Sequence, residues 1–281
     1  MVDPLIKYIK QLNTDNKITL FVEDKNVQLI EFMENIDHFY QMPSKGNKYL
    51  IFTLFGLKYR KNKYDISIAA KTGVGSANGF FPYMLGAKKQ ISYISKNKTW
   101  TDKLVNCPIT YSEKIYHRQH YALGVLQLLD SKLTKIPDYL YPKLKKQINV
   151  CNNLKPKLLI SVSNNRNSCL LNNKTVAFII NTISKKFKFD IYISALESDY
   201  DKALELKKKI IQQSTIKITP LLKDYLELIS SMDICFFGEG GGMHMTAALG
   251  VQQVVLFGHT STTTWSPLSS KATVLEDKSN V

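Results

Sequence analysis

Apolar residues at helical spacing open the chain over residues 2–12, and residues 18–22 (ITLFV) form a short apolar run of the kind found in a buried strand. Residues 25–35 return to helical spacing, and residues 64–70 (YDISIAA) read as a second buried strand. Gly73, Gly75 and Gly79 then punctuate a loop ahead of residues 80–85, followed by a strand at 90–94 and a helix over about 112–129. Alternation of helix and strand implies a mainly parallel sheet covered by helices. From about 132 to 157 the periodicity breaks into Pro137, Pro142, Asn152, Asn153 and Pro156 among lysines, the composition of a connector.

Beyond the connector the alternation resumes. Strands are predicted at 158–162, 189–194, 233–237 and 253–257, and helices at 172–187, 199–213, 221–231 and 243–249. The expected fold class is therefore α/β, with two successive doubly wound, Rossmann-like lobes and a cleft between them. The boundaries are an N-terminal lobe over 1–135, a linker over 136–156 and a C-terminal lobe over 157–281. No short tandem repeat or low-complexity tract interrupts either half.

Composition narrows the classes of function. A chain of 281 residues, 44% hydrophobic, can bury a full core, which excludes disorder throughout. No apolar run is long enough to span a bilayer, and the opening MVDPLIKYIKQLN lacks the zones of a signal peptide, so a cytoplasmic protein is expected. Cys107, Cys151, Cys169 and Cys235 are scattered without a C-x-x-C pair, which suggests neither a disulfide framework nor a zinc site. The formal charge of +15 comes mostly from lysines in short runs, such as Lys207, Lys208 and Lys209. Ordinary solvated lysine explains that pattern first and an anionic glycolipid or membrane face second. Nucleic acid comes a distant third, because no arginine-rich stripe with interleaved aromatics is present.

The most informative stretch is MDICFFGEGGGMHMTAALGVQQVVLFGHTSTTTWSP, residues 232–267. A buried strand runs into a turn with four glycines around Glu239, then a short helix from Met243, a stop at Gly250 and the next parallel strand. Glycines at such a junction let backbone approach a ligand, and the free N–H groups of the following helix favour an anion. A glycine-rich strand-to-helix turn can also serve tight packing alone. What raises the ligand reading is His244 in the first helical turn, Glu239 in the turn, and the hydroxyl-rich loop from Thr260 to Thr264 after the neighbouring strand. Both loops fall at the carboxyl edge of a parallel sheet, where such sheets bind ligands. Walker spacing and an early G-x-G-x-x-G are both missing, which disfavours a nucleotide hydrolase or a dehydrogenase.

These residues resemble the hallmark segment of glycosyltransferase family 9, the family of the lipopolysaccharide heptosyltransferases. That segment is an Asp-Ser/Thr-Gly-Pro-Met/Leu-His turn, an Ala-Ala-Leu-Gly helix end, a Phe-Gly-Pro-Thr strand end and Trp-Gly-Pro. The likeness extends to YDISIAAKTGVGSANGFFPYMLGAKKQISY and to HRQHYALGVLQLLDSKL, and so covers most of the chain. The resemblance implies a GT-B-type, metal-independent transferase without a cofactor. Such an enzyme moves a sugar, heptose in the best-known members, from a nucleotide donor such as ADP-heptose to a lipopolysaccharide core or other surface glycan, with inversion. It also implies a nucleotide sugar and an anionic glycolipid or glycan acceptor as partners, and peripheral contact with the inner face of the inner membrane.

On the matching positions Glu239 stands for the family Asp, Gly240 for its hydroxyl residue, Gly241 for its Gly and His244 for its His. Donor contacts are expected at Glu239, Gly240, Gly241, Met243, His244 and Thr260. For the basic residue that meets the phosphates, SVSNNRNSCLLNNK after the first strand of the second lobe offers Arg166 or Lys174, with Cys169 near the matching position. The resemblance sets the start of the chain at the helix after the family's first strand, with Asp3 and Pro4 where the family has Thr-Pro. The acidic residue that resembles the family base therefore has no counterpart, the catalytic residue stays unassigned, and a catalytically inactive or shortened donor-binding relative is the alternative. His117 and His120, three apart on a helix, lack a third metal ligand, and Trp265 is expected to pack beneath its loop.

Overall fold

The computed structural model describes residues 2–70, 78–94, 99–110, 120–129, 131–133, 137–144, 155–164, 169 and 171–276. The chain divides into two compact units, one of residues 1–31 and 35–140, the other of 32–34 and 141–281.

The first half runs α1 (Asp3–Leu12), β1 (Thr19–Glu23), a 3-10 helix (Asp24–Phe32), β2 (His38–Met42), α2 (Lys48–Tyr59), β3 (Ile66–Ile68), α3 (Phe80–Leu85), β4 (Lys89–Ile94), β5 (Cys107–Thr110) and α4 (His120–Leu129). Strands β1 and β2 pair parallel as one small sheet, and β3, β4 and β5 form a second in that order, also parallel. Where residues 25–35 are expected to form an α-helix, Asp24–Phe32 form a 3-10 helix, and β2 and α2 stand where the sequence pattern predicts no element. The loop glycines Gly73 and Gly75, and residues 112–119 of the expected helix, lie outside the described residues. Within the predicted linker, Asp138–Leu140 forms a 3-10 turn whose Leu140 is fully buried, while Leu144 donates its backbone N–H to Ala248 O at 3.0 Å.

The second half carries β6 (Lys157–Ser161), α5 (Asn173–Ser184), β7 (Asp190–Ala195), α6 (Tyr200–Lys209), β8 (Ser214–Ile218), α7 (Leu222–Ser230), β9 (Ile234–Gly238), α8 (Gly241–Ala248), β10 (Gln252–Phe257), α9 (Thr262–Trp265) and β11 (Ala272–Glu276). All six strands are parallel, in the order β11-β10-β9-β6-β7-β8. The first strand of the half sits in the middle, and the chain winds outward first one way and then the other. That is the doubly wound arrangement, whose order reverses between β6 and β9.

Alternation explains why these strands read as unbroken apolar runs. Leu158, Ile160, Phe236, Ile191 and Ile193 join one buried cluster with Val176 and Ile180 of α5 and Leu206 of α6. Their neighbours Leu159, Cys235, Phe237, Val255 and Phe257 join the other, with Leu226 and Ile229 of α7 and Met243 of α8. Both faces of the central strands are covered, so their middle positions run apolar, with Ser194 and Gln253 as buried polar exceptions. Each such side chain taken fully out of water stabilises the fold by roughly 1.5–3 kcal/mol.

Candidate functional site

The carboxyl ends of β6, β9 and β10 meet at the reversal point of the sheet, and each contributes a loop. Gly238 closes β9, where a Cβ would stand 2.9 Å from Cys169 O and 3.0 Å from Leu171 Cγ, so only glycine lets the loop after β6 lie this close. Gly240 follows with extended backbone, and a Cβ there would stand 2.9 Å from Asn164 Nδ2. That amide of Asn164 donates to Glu239 O at 2.8 Å and ties the loop after β6 to the turn after β9. Ser163 extends the lacing by accepting the Leu196 N–H at 2.9 Å, at the end of β7.

The Glu239 side chain turns toward the third loop. Buried at 4% exposure, its carboxylate accepts the backbone N–H of His259 at 2.7 Å and of Thr260 at 3.0 Å, with Gly258 N–H at 3.3 Å and the Thr260 hydroxyl also donating. The acidic residue thus clamps the turn after β9 to the turn after β10. Thr260 faces Glu239, and the two hold each other.

Helix α8 begins at Gly241 with no side chain capping it: Gly240, the N-cap, makes no side-chain hydrogen bond. The amides that open an α-helix have no partner within the helix, and their dipoles add to a positive end, so this turn suits an anion. Beneath it lies Tyr225, whose hydroxyl would be 2.5 Å from a Cβ on Gly242 and shares a hydrogen bond with Ser161 at the end of β6. Burial pushes the Tyr225 phenol above its ordinary range. Burial likewise pushes the Cys235 thiol up to about 12, against a hydrogen bond with Thr246 that lowers it. Both groups stay neutral, and the Thr246 hydroxyl donates to Gly242 O at 2.9 Å. The floor of the turn is therefore uncharged and closely packed.

The predicted residues separate by what they can offer. Gly240 and Gly241 present backbone, and His244 is half-buried in the first turn of α8. Met243 sends its side chain into the core at 2% exposure, so only its backbone could meet a ligand. Glu239 and Thr260 arrange the neighbouring loop. Arg166 lies outside the described residues. Trp265 packs against the cluster that contains Phe257 and Met243. Sequence reasoning missed Asn164 and Tyr225; a polar Ser-x-Ser-Asn directly after an apolar strand was the available signal for Asn164, whereas Tyr225 sits in an ordinary amphipathic helix.

Residues 54–280 match the model of glycosyltransferase family 9 (heptosyltransferase). No curated protein matches the chain. Among solved structures, a glycosyltransferase family 9 protein from Veillonella parvula superposes with a TM-score of 0.78 at 14% identity, covering 98% of this chain and 81% of that one. The Escherichia coli heptosyltransferase WaaC, solved with ADP, gives 0.75 at 12% identity over 99% and 89%. The E. coli ADP-heptose lipopolysaccharide heptosyltransferase II gives 0.73 at 13% over 97% and 85%. The α/β architecture of mainly parallel sheets is thus that of the GT-B glycosyltransferases.

Proposed function

The chain belongs to glycosyltransferase family 9, and we propose that it moves heptose or a similar sugar from an ADP-linked donor to a lipopolysaccharide core or other surface glycan. The transfer is inverting and independent of metal, and the protein works at the inner face of the inner membrane. One observation carries this reading: the uncapped start of α8, open at the sheet's reversal point and flanked by loops that Asn164 and Glu239 hold in place.

The donor diphosphate rests against the amides of Gly241, Gly242 and Met243, with His244 beside it. As the acceptor hydroxyl oxygen attacks the anomeric carbon, the bond from that carbon to the phosphate oxygen breaks and the hydroxyl proton passes to an unassigned base or to water. Negative charge gathers on the departing diphosphate. Amide dipoles fixed in advance stabilise that charge more than the ground state, which speeds the step. Glu239 acts here as a positioning residue, because its carboxylate is taken up by the loop of residues 258–260. Release of ADP from ADP-heptose in the presence of a lipopolysaccharide core acceptor tests the proposal. Wild-type protein should turn over and His244→Ala should lose about tenfold or more in kcat/KM; ADP binding without turnover under any acceptor would leave a donor-binding protein instead.

A further inference from the structure

We propose that the first unit docks on an anionic phospholipid bilayer through the outer face of α2, an inference that rests on the reading of the acceptor as a membrane glycolipid. Helix α2 already has a packed side. Phe52 meets Phe81 at 5.0 Å between ring centroids, Tyr59 meets Tyr40 at 3.9 Å, and buried Gly56 lets Met84 of α3 approach. An ordinary surface helix would carry charge on the other side. Here that side carries Leu50, Leu54 and Leu57, exposed at 58%, 59% and 57%. Offsets of four and three residues set the three on one line along the helix. Beside the first turn, Trp100 stacks on Tyr49 and is itself 58% exposed. Folding of this unit leaves more than half of each of the four residues in water, which makes the stripe a candidate contact surface.

Charge identifies the occupant. Residues 43–64 contain Lys45, Lys48, Lys58, Arg60, Lys61 and Lys63, all exposed, and no acidic residue. Helical phase sets Lys58 on one border of the leucine line, and on the other side Arg60, exposed, leans over Gly86 at the end of α3. A line of leucines edged by cations suits the boundary between headgroups and acyl chains of a negatively charged leaflet, with leucines inserted and cations at the phosphates. Lys48 pairs with Glu23 at 3.5 Å, and a second copy of the chain would bring the other five cations against the same five, which opposes pairing through this face.

Flotation of the full chain with vesicles tests this, using phosphatidylcholine alone and phosphatidylcholine with about one third phosphatidylglycerol. Wild-type protein should partition about tenfold or more in favour of the anionic vesicles. The variant L50S/L54S/L57S should lose most of that partition while keeping its circular dichroism and melting temperature. K58Q/K61Q/K63Q should weaken it several-fold and flatten its dependence on salt. K207Q/K208Q/K209Q, at the basic end of α6, should bind as the wild type does. The proposal is overturned if the leucine variant floats like wild type, if only the 207–209 variant loses binding, or if wild type shows no anionic preference. It is equally overturned if wild type is a dimer that the leucine variant splits, with no vesicle binding. ADP binding measured on the same proteins keeps the two readings apart: lost ADP binding with intact flotation removes the donor assignment, and intact ADP binding with unmoved flotation removes the α2 surface.

Discussion

Two buried contacts decide how the glycine turn keeps its shape. Gly242 leaves room for the Tyr225 hydroxyl, which would be 2.5 Å from a Cβ. Gly242→Ala should therefore lower stability by about 1–3 kcal/mol, and adding Tyr225→Phe should restore part of that loss; equal melting temperatures for the single and double variants would show that the two do not touch. Glu239 is the acceptor for the amides of the loop after β10. Glu239→Ala should cost about 2–3 kcal/mol in thermal unfolding, since it strands amides that now bond a charged group. In the first unit, Asp37 accepts Ile18 N–H at 2.7 Å and Lys10 Nζ at 2.9 Å, which together hold its carboxyl near 2 instead of 3.8. The folded value lies below the unfolded one, so the stabilisation is complete above pH 3.8 and fades as pH falls toward 2. Asp37→Asn should be less stable than wild type at neutral pH, with the gap closing over that acidic window in denaturant titrations.

At the scale of elements, the start of α8 can be altered without breaking the helix. Proline is tolerated at the first helical position, Gly240 before it is already extended, and a Cβ on Gly241 meets only Met245 Cε at 3.8 Å. Gly241→Pro removes one amide and should weaken ADP binding by about tenfold or more by calorimetry, while Gly241→Ala binds as wild type does; equal affinity for both would take that amide out of the site. The strands that built this edge were legible in the sequence because both faces are buried, as the interleaving of Leu159 between Leu158 and Ile160 shows. What was hidden follows from burial too. β2 (HFYQM) and β8 (STIKI) are largely exposed, so they lack an unbroken apolar run, and α2 is apolar on both its packed and outer sides, which erases the stripe that announces a helix. The glycine turn and its following helix were visible because glycine spacing is local. The partners of that turn arrive from 75 residues upstream of Glu239 and from a separate helix: the polar run after β6 hints at Asn164 without naming its partner, and Tyr225 leaves no local trace.

Over the whole molecule, the chain belongs to glycosyltransferase family 9, and the doubly wound second half sets its reversal point at the carboxyl ends of β6 and β9. No helix among the described residues is long and apolar enough to cross a membrane, and the docking proposed for the outer face of α2 would supply the surface by which the chain reaches a lipid-borne acceptor. The central claim is local all the same: a nucleoside diphosphate is held by the amides that open α8. A crystal structure of the full chain with ADP measures this directly. The diphosphate should lie within hydrogen-bond distance of the N–H groups of Gly241, Gly242 and Met243, with His244 alongside; ADP bound elsewhere while those amides contact only the protein or solvent would contradict the account.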